Sequence, residues 1–284
     1  MPPEPRFRRV VLKISGEALK GDNELIQAST LMSIARQIKE VADLGAQVAV
    51  VVGGGNIFRG TSEAAAAMNR TVADHIGMLG TLINSLALQV ALEDLGSQTR
   101  VMSAIGVAAI AEAYIRRRAI RHLEKGRVII IACGTGSPYF STDTAAALRA
   151  NEIEAEVVLK ATNVDGVYDA DPRRVPTAKR YGRLSYDEAI NQDLRVMDAT
   201  AFTLCRENRL PIIVFDLRPE GNIRRVVMGE PIGTLVGDGA KLRPPRFPQS
   251  SSTSTEGVPP DLPADGEDAL ANPPAQTGPE LEII

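Results

Sequence analysis

Four times along this chain a short run of β-branched and aliphatic residues stops at a loop built from glycine, hydroxyl and charged residues. The runs are Arg9–Leu12, Gln47–Val52, Arg127–Ala132 and Ala155–Leu159. Bounded by turn formers, each reads as a buried strand. Helical patterns separate them. Leu31, Ile34, Ile38, Val41 and Leu44 share one helix face that ends at Gly45, and Ile76, Leu79, Ile83, Leu86 and Val90 keep the same period through a longer helix over Val72–Leu95. The alternating order predicts an α/β fold, a mainly parallel central sheet covered by helices on both faces. Further on, a short strand is expected near Thr99–Met102 and a helix over Val107–Lys125. A hairpin or lid is expected between Pro172 and Leu184, a helix over Ala199–Arg209, a strand over Pro211–Leu217 and a last edge strand over Gly233–Val236.

The loops carry the chemistry. They are Lys13-Ile14-Ser15-Gly16-Glu17, Gly53-Gly54-Gly55-Asn56-Ile57-Phe58-Arg59-Gly60, Gly134 through Asp143, and Lys160-Ala161-Thr162-Asn163 through Pro172. Glycines let backbone N–H groups approach phosphate oxygens with no Cβ between, and Thr142–Ala150 reads as a helix start with a capping hydroxyl beside it. Four such loops at strand ends predict one shared crevice for a nucleotide and a second phosphate-bearing occupant. No G-x-x-x-x-G-K-[ST] run is present, which excludes the P-loop solution. Lys13, Arg59 and Lys160 can supply positive charge to a transferring phosphoryl group, and Asp143, Asp171 and Asp198 can hold Mg²⁺ or orient the lysines. Asp165 reads as a turn residue. Asp74 and His75 are neighbours on a helix and point about 100° apart, so they do not form an acid–base pair; His75 reads as a packing or interface residue.

Composition narrows the rest. Among 284 residues, 44% are hydrophobic, an ordinary share for a folded soluble protein. There is no tryptophan, and the basic stretch Arg116-Arg117-Arg118-Ala119-Ile120-Arg121-His122 has no interleaved aromatics, which argues against nucleic acid as a partner. Cys133 and Cys205 lie far apart in apolar surroundings and read as reduced core thiols, pointing to the cytoplasm. The start of the chain has no apolar signal core, and no window approaches 18 uninterrupted apolar residues, so no membrane is expected. Nine of the eighteen prolines fall between Pro244 and Pro279, around the Ser/Thr run Ser250–Thr255. The residues from Gln249 onward carry −7, leaving residues 1–248 at about +4 against the whole chain's −3. The expected organisation is an extension over residues 1–7, a catalytic domain over 8–240, and a disordered acidic, Pro/Ser-rich tail over 241–284.

From Arg8 to Val236 the chain resembles the bacterial UMP kinases of the amino acid kinase superfamily. Lys13-x-Ser15-Gly16, Gly53-Gly54-Gly55 and Val164-Asp165-Gly166-Val167-Tyr168-x-Ala170-Asp171-Pro172 are shared across that superfamily; Gly55–Gly60, Met68–Met78 and Gly134–Asp143 carry the resemblance to UMP kinases. The resemblance implies a carbamate-kinase-like three-layer αβα sandwich and the reaction UMP + ATP → UDP + ADP, with Mg²⁺ held mainly by the ATP phosphates and not directly by protein ligands. It implies that Lys13, Ile14, Ser15, Gly16, Gly55 and Arg59 meet the ATP phosphates, and that Thr162, Asn163, Tyr168 and Asp171 surround the adenosine. Gly54, Asp74, Thr135, Gly136, Ser137, Pro138, Tyr139, Phe140, Ser141 and Thr142 would bind UMP. Lys13, Arg59, Asp143, Lys160 and Asp198 would be the catalytic group. It also implies a homohexamer, activation by GTP and inhibition by UTP, with the long helix and the Arg100 and Arg116–Arg127 region as interface and effector surfaces. One departure is the short segment Lys20–Leu25, which lacks the glycine-aromatic-glycine turn common there. Two other readings of the residues stay open: a superfamily kinase acting on an amino acid or carbamate, which would not need Asp74 or the Gly134–Asp143 loop in this form, and a non-catalytic nucleotide- or oxyanion-binding protein, against which the joint presence of Lys13, Lys160, Asp143 and Asp198 speaks.

Overall fold

Each of the four apolar runs is a strand, and the four lie side by side at the centre of one sheet. In the computed structural model, which describes residues 4–59, 66–194 and 196–237, the chain runs β1 (Arg9–Ile14), a 3₁₀ turn (Gly16–Leu19), α1 (Ala28–Asp43), β2 (Gln47–Val52), α2 (Arg70–Asp94), β3 (Thr99–Ser103), β4 (Glu112–Ala113), α3 (Arg116–Glu124) and β5 (Val128–Ala132). It continues through α4 (Thr142–Glu152), β6 (Val157–Thr162), β7 (Arg183–Leu184), α5 (Tyr186–Asn191), α6 (Ala199–Glu207), β8 (Ile212–Asp216), α7 (Asn222–Val227) and β9 (Thr234–Val236). Gly60, residues 238–240 and the whole expected tail lie outside the described residues.

The sheet order is β4-β3-β5-β2-β1-β6-β8-β9-β7, parallel at every described pairing except β8 with β9. β2 and β6 flank β1 on opposite sides, so the chain reverses its direction of winding at β1, where α/β sheets open a ligand crevice. Alternate residues of each strand feed two cores. Val10, Leu12, Val48, Val50, Ile130 and Leu159 pack under α1, α2 and α7; Val11, Val51, Ile129, Ile131 and Val158 pack under α3, α4, α5 and α6. This is a three-layer αβα sandwich.

Three expectations change. The helix expected over Val107–Lys125 is shorter, because residues 108–110 form a turn and Glu112–Ala113 pairs with β3 before α3 begins. The strand at Thr234–Val236 is not the edge; β7 pairs outside it. The third concerns α2. Of the residues that carry its period, Leu79, Ile83 and Val90 point outward, 44, 48 and 59% exposed, while Ile76 is half-buried and Leu86 packs against the core; Val72, outside that series, is 51% exposed. The buried face holds Thr81, Asn84 and Ser85 among Ala73, Met78, Leu82, Leu88 and Leu92. Thr81 and Asn84 are inside because they hold loop backbone in the site, while Ser85 donates to the Thr81 carbonyl within the helix at 2.7 Å. By length and composition α2 is the one described helix apolar enough to cross a membrane, but half of that window is buried inside the fold.

Candidate active site

β1 and β6 pair in parallel with Lys13 directly opposite Lys160. Both positions have the parity of Val11 and Val158, so both side chains rise from the same face of the sheet, the one covered by α4. Asp143, in the first turn of α4, receives them. Its Oδ1 is 2.7 Å from Lys13 Nζ and its Oδ2 2.8 Å from Lys160 Nζ, with the three side chains only 11, 13 and 16% exposed for Lys13, Asp143 and Lys160. Burial by itself would raise the Asp143 pKa, but the charges of Lys13 and Lys160, with their hydrogen bonds, outweigh it and hold the carboxyl below its usual range. Lys160 is pushed down, first by burial and then by Lys13, against the pull of Asp143. Lys160 also donates to the Val196 carbonyl at 2.6 Å. Two ammonium groups balanced by one carboxylate leave a net positive point at the centre of the crevice.

Asp198 stands beside this group without joining it. It caps α6, accepting from Ala201 N at 3.0 Å, from Thr144 Oγ1 at 3.0 Å and from the Ser141 hydroxyl. Its charge still favours the protonated form of Lys160. Ser141 in turn caps α4 through Asp143 N and Thr144 N. The cap thus fixes where Asp143 sits.

The glycine loops come together because they have no side chains. A Cβ on Gly16 would stand 2.5 Å from the Gly53 carbonyl oxygen and collide with Asn56, and one on Gly54 would stand 2.6 Å from the Gly77 carbonyl oxygen. The loop after β2 is held from behind by α2. Asn84 donates to the Gly53 carbonyl at 2.7 Å and exchanges amide bonds with Asn56 at 2.7 and 3.0 Å. One turn earlier, Thr81 Oγ1 accepts from Cys133 N at 2.7 Å. Sequence reasoning missed Thr81, Asn84 and Asn56; the signal was the polar residues recurring inside an otherwise apolar helix.

A cavity of about 150 Å³ opens between these parts, lined by Gly54, Gly55, Phe58, Ala73, Asp74, Gly77, Met78, Thr81, Gly134, Thr135, Phe140, Ser141 and Thr142. It gathers Gly54, Asp74, Thr135, Phe140, Ser141 and Thr142 from the expected acceptor set. Ser137 lines, with Thr135 and Phe140, a neighbouring groove of about 680 Å³ between α4 and α6. Gly136, Pro138 and Tyr139 line neither space. Asp74 is already engaged: Arg70 Nε lies 2.9 Å from both its oxygens, and Tyr139 N donates to it at 2.8 Å. The Arg70 guanidinium also covers the Tyr139 ring at 5.5 Å.

On the other side, Ser15 and Gly16 open the 3₁₀ turn after β1, with Ile14 buried beneath them. Arg59 pairs with Glu17 at 2.7 Å, both partly exposed, so Glu17 is the partner that sequence reasoning left without a role. Thr162 ends β6 opposite Asp216 of β8, and its hydroxyl closes a turn on Val164, beside the exposed Asn163. Asp216 is in turn forked by Arg218 at 2.7 Å. Tyr168 donates to Asp165 at 2.6 Å, and Asp171 turns the chain through Arg173 N at 3.0 Å. Asp171 has no described contact with Lys13 or Lys160; it belongs to the β6 loop and not to the charged centre. Among the described residues no three His, Cys, Asp or Glu side chains converge as a metal site.

Comparison with known proteins gives a consistent result. The family model described as "Amino acid kinase family" matches residues 8–216. The chain is similar to the crystal structure of UMP kinase from Bacillus anthracis, with 40% identity over 82% of this chain and 97% of that one and a TM-score of 0.80. UMP kinase from Ureaplasma parvum follows at 39% identity, 82% and 100% coverage and TM-score 0.78. Uridylate kinase from Archaeoglobus fulgidus is 31% identical, with 80% and 99% coverage and TM-score 0.63.

Proposed function

Because the chain belongs to the amino acid kinase family and, within it, to the UMP kinases, we propose that it transfers the γ-phosphoryl group of ATP to UMP, giving UDP and ADP. The observation that carries the chemistry is the pair of lysines facing one carboxylate at the join of two glycine loops. A phosphate monoester is largely dianionic at neutral pH, its second pKa being about 6. It needs no general base to attack phosphorus. The difficulty is the repulsion between two polyanions, and fixed cations relieve it in the transition state. Lys13 and Lys160 supply them, Asp143 keeps them side by side, and Arg59 is assigned to the phosphate side of the same crevice. Ser15, Gly16 and Gly55 are assigned to ATP phosphates, Thr162, Asn163, Tyr168 and Asp171 to adenosine, and the 150 Å³ cavity with its rim to UMP.

A cationic centre of this kind does not attract a divalent ion on its own, so Mg²⁺ is assigned to the nucleotide phosphates, where it neutralises charge. Residues 8–240 form the proposed catalytic unit, with residues 1–7 an extension before it and residues 241–284 a tail. Two buried free thiols, Cys133 and Cys205, favour a reducing cytoplasm, where the reaction would serve pyrimidine nucleotide biosynthesis.

The test is ADP formation from ATP-Mg²⁺ with UMP, CMP, dUMP, N-acetylglutamate and aspartate supplied separately, with and without GTP or UTP. UMP is expected to be the acceptor turned over, with dUMP slower by about tenfold because Asp74 loses a hydroxyl donor. Turnover of an amino acid in place of UMP would overturn the acceptor, and none with any acceptor would favour a binding protein.

A homohexamer is proposed on the exposed stripe of α2, where Val72, Leu79, Ile83 and Val90 form a continuous apolar band beside His75. Ile83→Glu is expected to reduce the mass measured by light scattering, while an unchanged mass would remove α2 from the interface. GTP activation and UTP inhibition are proposed at the basic face around Arg100, Arg116–Arg118 and Arg127, where Glu112 links Arg100 at 3.4 Å to His122 at 3.1 Å.

A further inference from the structure

Arg149 sits in the middle of α4, outside every loop that meets the crevice, and is only 6% exposed. Its Nη2 donates to two successive carbonyls, Gly134 at 3.3 Å and Thr135 at 3.2 Å. Its Nη1 is paired with Glu152 at 2.8 Å, and its guanidinium carbon lies 4.1 Å from the centre of the Tyr114 ring, one residue beyond β4. A buried guanidinium is costly unless its charge and donors are matched. Glu152 matches the charge at Nη1, the ring face adds a cation–π contact, and Nη2 is left to meet both carbonyls.

Those carbonyls lie at the turn that begins the acceptor loop. Cys133 has φ 61° and Gly134 φ 60°, a left-handed pair of which one member is not glycine. Such a conformation persists only where neighbours fix it from several sides. Thr81 holds Cys133 N from the α2 side, and Arg149 holds the next two carbonyls from the α4 side. Gly134 and Thr135 line the acceptor cavity, whereas Arg149 lines neither that cavity nor the adjoining groove.

Building on the UMP kinase reading, we infer that Arg149, held by Tyr114 and Glu152, is a positioning residue for the acceptor nucleotide: it sets the Gly134–Thr135 backbone that forms one wall of the acceptor cavity. It acts through those carbonyls and touches no substrate. The residues assigned to the nucleotide donor, on the loops after β1 and β6, are not among the described contacts of Arg149.

The test is Arg149→Lys, which keeps a cation but loses the two-carbonyl fork. KM for UMP is expected to rise about tenfold, with KM for ATP and kcat at saturating UMP within about twofold. Amide exchange at Gly136 and Ser137 in the free protein is expected to speed up by about tenfold. A rise in both KM values together, or unchanged loop exchange, would overturn the inference in favour of a general packing role. Should Arg149→Lys fail to fold, Tyr114→Leu leaves the arginine in place without its support. It is expected to give the same UMP-selective pattern at about threefold, and no change in UMP KM or loop exchange there would equally overturn it. A wild-type chain that does not turn over UMP would sink the functional reading and this inference with it; an active wild type with an unaffected Arg149→Lys would sink the inference alone.

Discussion

Asp143→Asn is expected to cost about 3–5 kcal/mol of stability, because it leaves two ammonium groups side by side without the carboxylate that pairs with both, Asp198 acting only on Lys160 from beside the group. Lys13 and Lys160 are register partners on adjacent strands and cannot move apart without breaking the β1–β6 ladder. With about 2–4 °C of melting temperature per kcal/mol for a domain of this size, the loss should be plain in a thermal melt. Its pH dependence has a definite sign. Lys160 is already held below its ordinary pKa, and removing the carboxylate lowers it further. A group whose folded pKa lies below its unfolded one binds fewer protons when folded, so stability rises with pH through that range. The deficit of Asp143→Asn should therefore shrink as the pH is raised from neutrality toward the ordinary lysine pKa. The wild-type carboxyl acts in the opposite range. Its folded pKa is depressed, so its contribution is complete above the ordinary carboxylate pKa and is lost only as pH falls through the folded value. A variant that melts like the wild type at neutral pH would show that the carboxylate is not what neutralises the lysines.

Lys13→Ala is expected to behave differently. It removes one of the two cations while Asp143 keeps Lys160 at 2.8 Å, and it relieves the repulsion between the lysines. The fold should survive. The reaction should not, since the charge that develops during transfer loses a fixed partner, a deletion that typically lowers kcat by about 10²–10³-fold. The change should fall on kcat with little rise in KM for UMP. A pure KM effect would assign Lys13 to ground-state binding, and a large drop in melting temperature would assign it to the fold.

The contrast between these two variants marks what was legible in the residues. Lys13, Lys160 and Asp143 stood out singly, each beside a strand end or a helix start, because local patterns fix strands, caps and turns. That they share one crevice was legible too, from four loops at strand ends; how both lysines close on one carboxylate was not, because it depends on β1 pairing with β6 in the register Lys13↔Lys160, 147 positions apart, which no local pattern specifies. The helix α2 shows the same limit. Its length and boundaries followed from its period, but Leu79, Ile83 and Val90 of the stripe that defined the period lie outside, while Thr81, Asn84 and Ser85 lie inside among Met78, Leu82, Leu88 and Leu92. Periodicity reports that a helix has two faces. It does not say which one the fold buries, because Asn84 and Thr81 become favourable inside only once the Gly53 carbonyl and the Cys133 amide are there to meet them.

By itself, then, the sequence determined the αβα class, the four central strands, the glycine loops at their ends and the chemical character of the site, since each depends on residues close together in the chain. The tertiary structure alone decided the meeting of Lys13 and Lys160 on Asp143, the engagement of Asp74 by Tyr139 N, which face of α2 carries Thr81 and Asn84 inward, and the hold of Arg149 on the acceptor loop. They rest on contacts between segments apart in the chain, whose energy exists only when the partners are brought together.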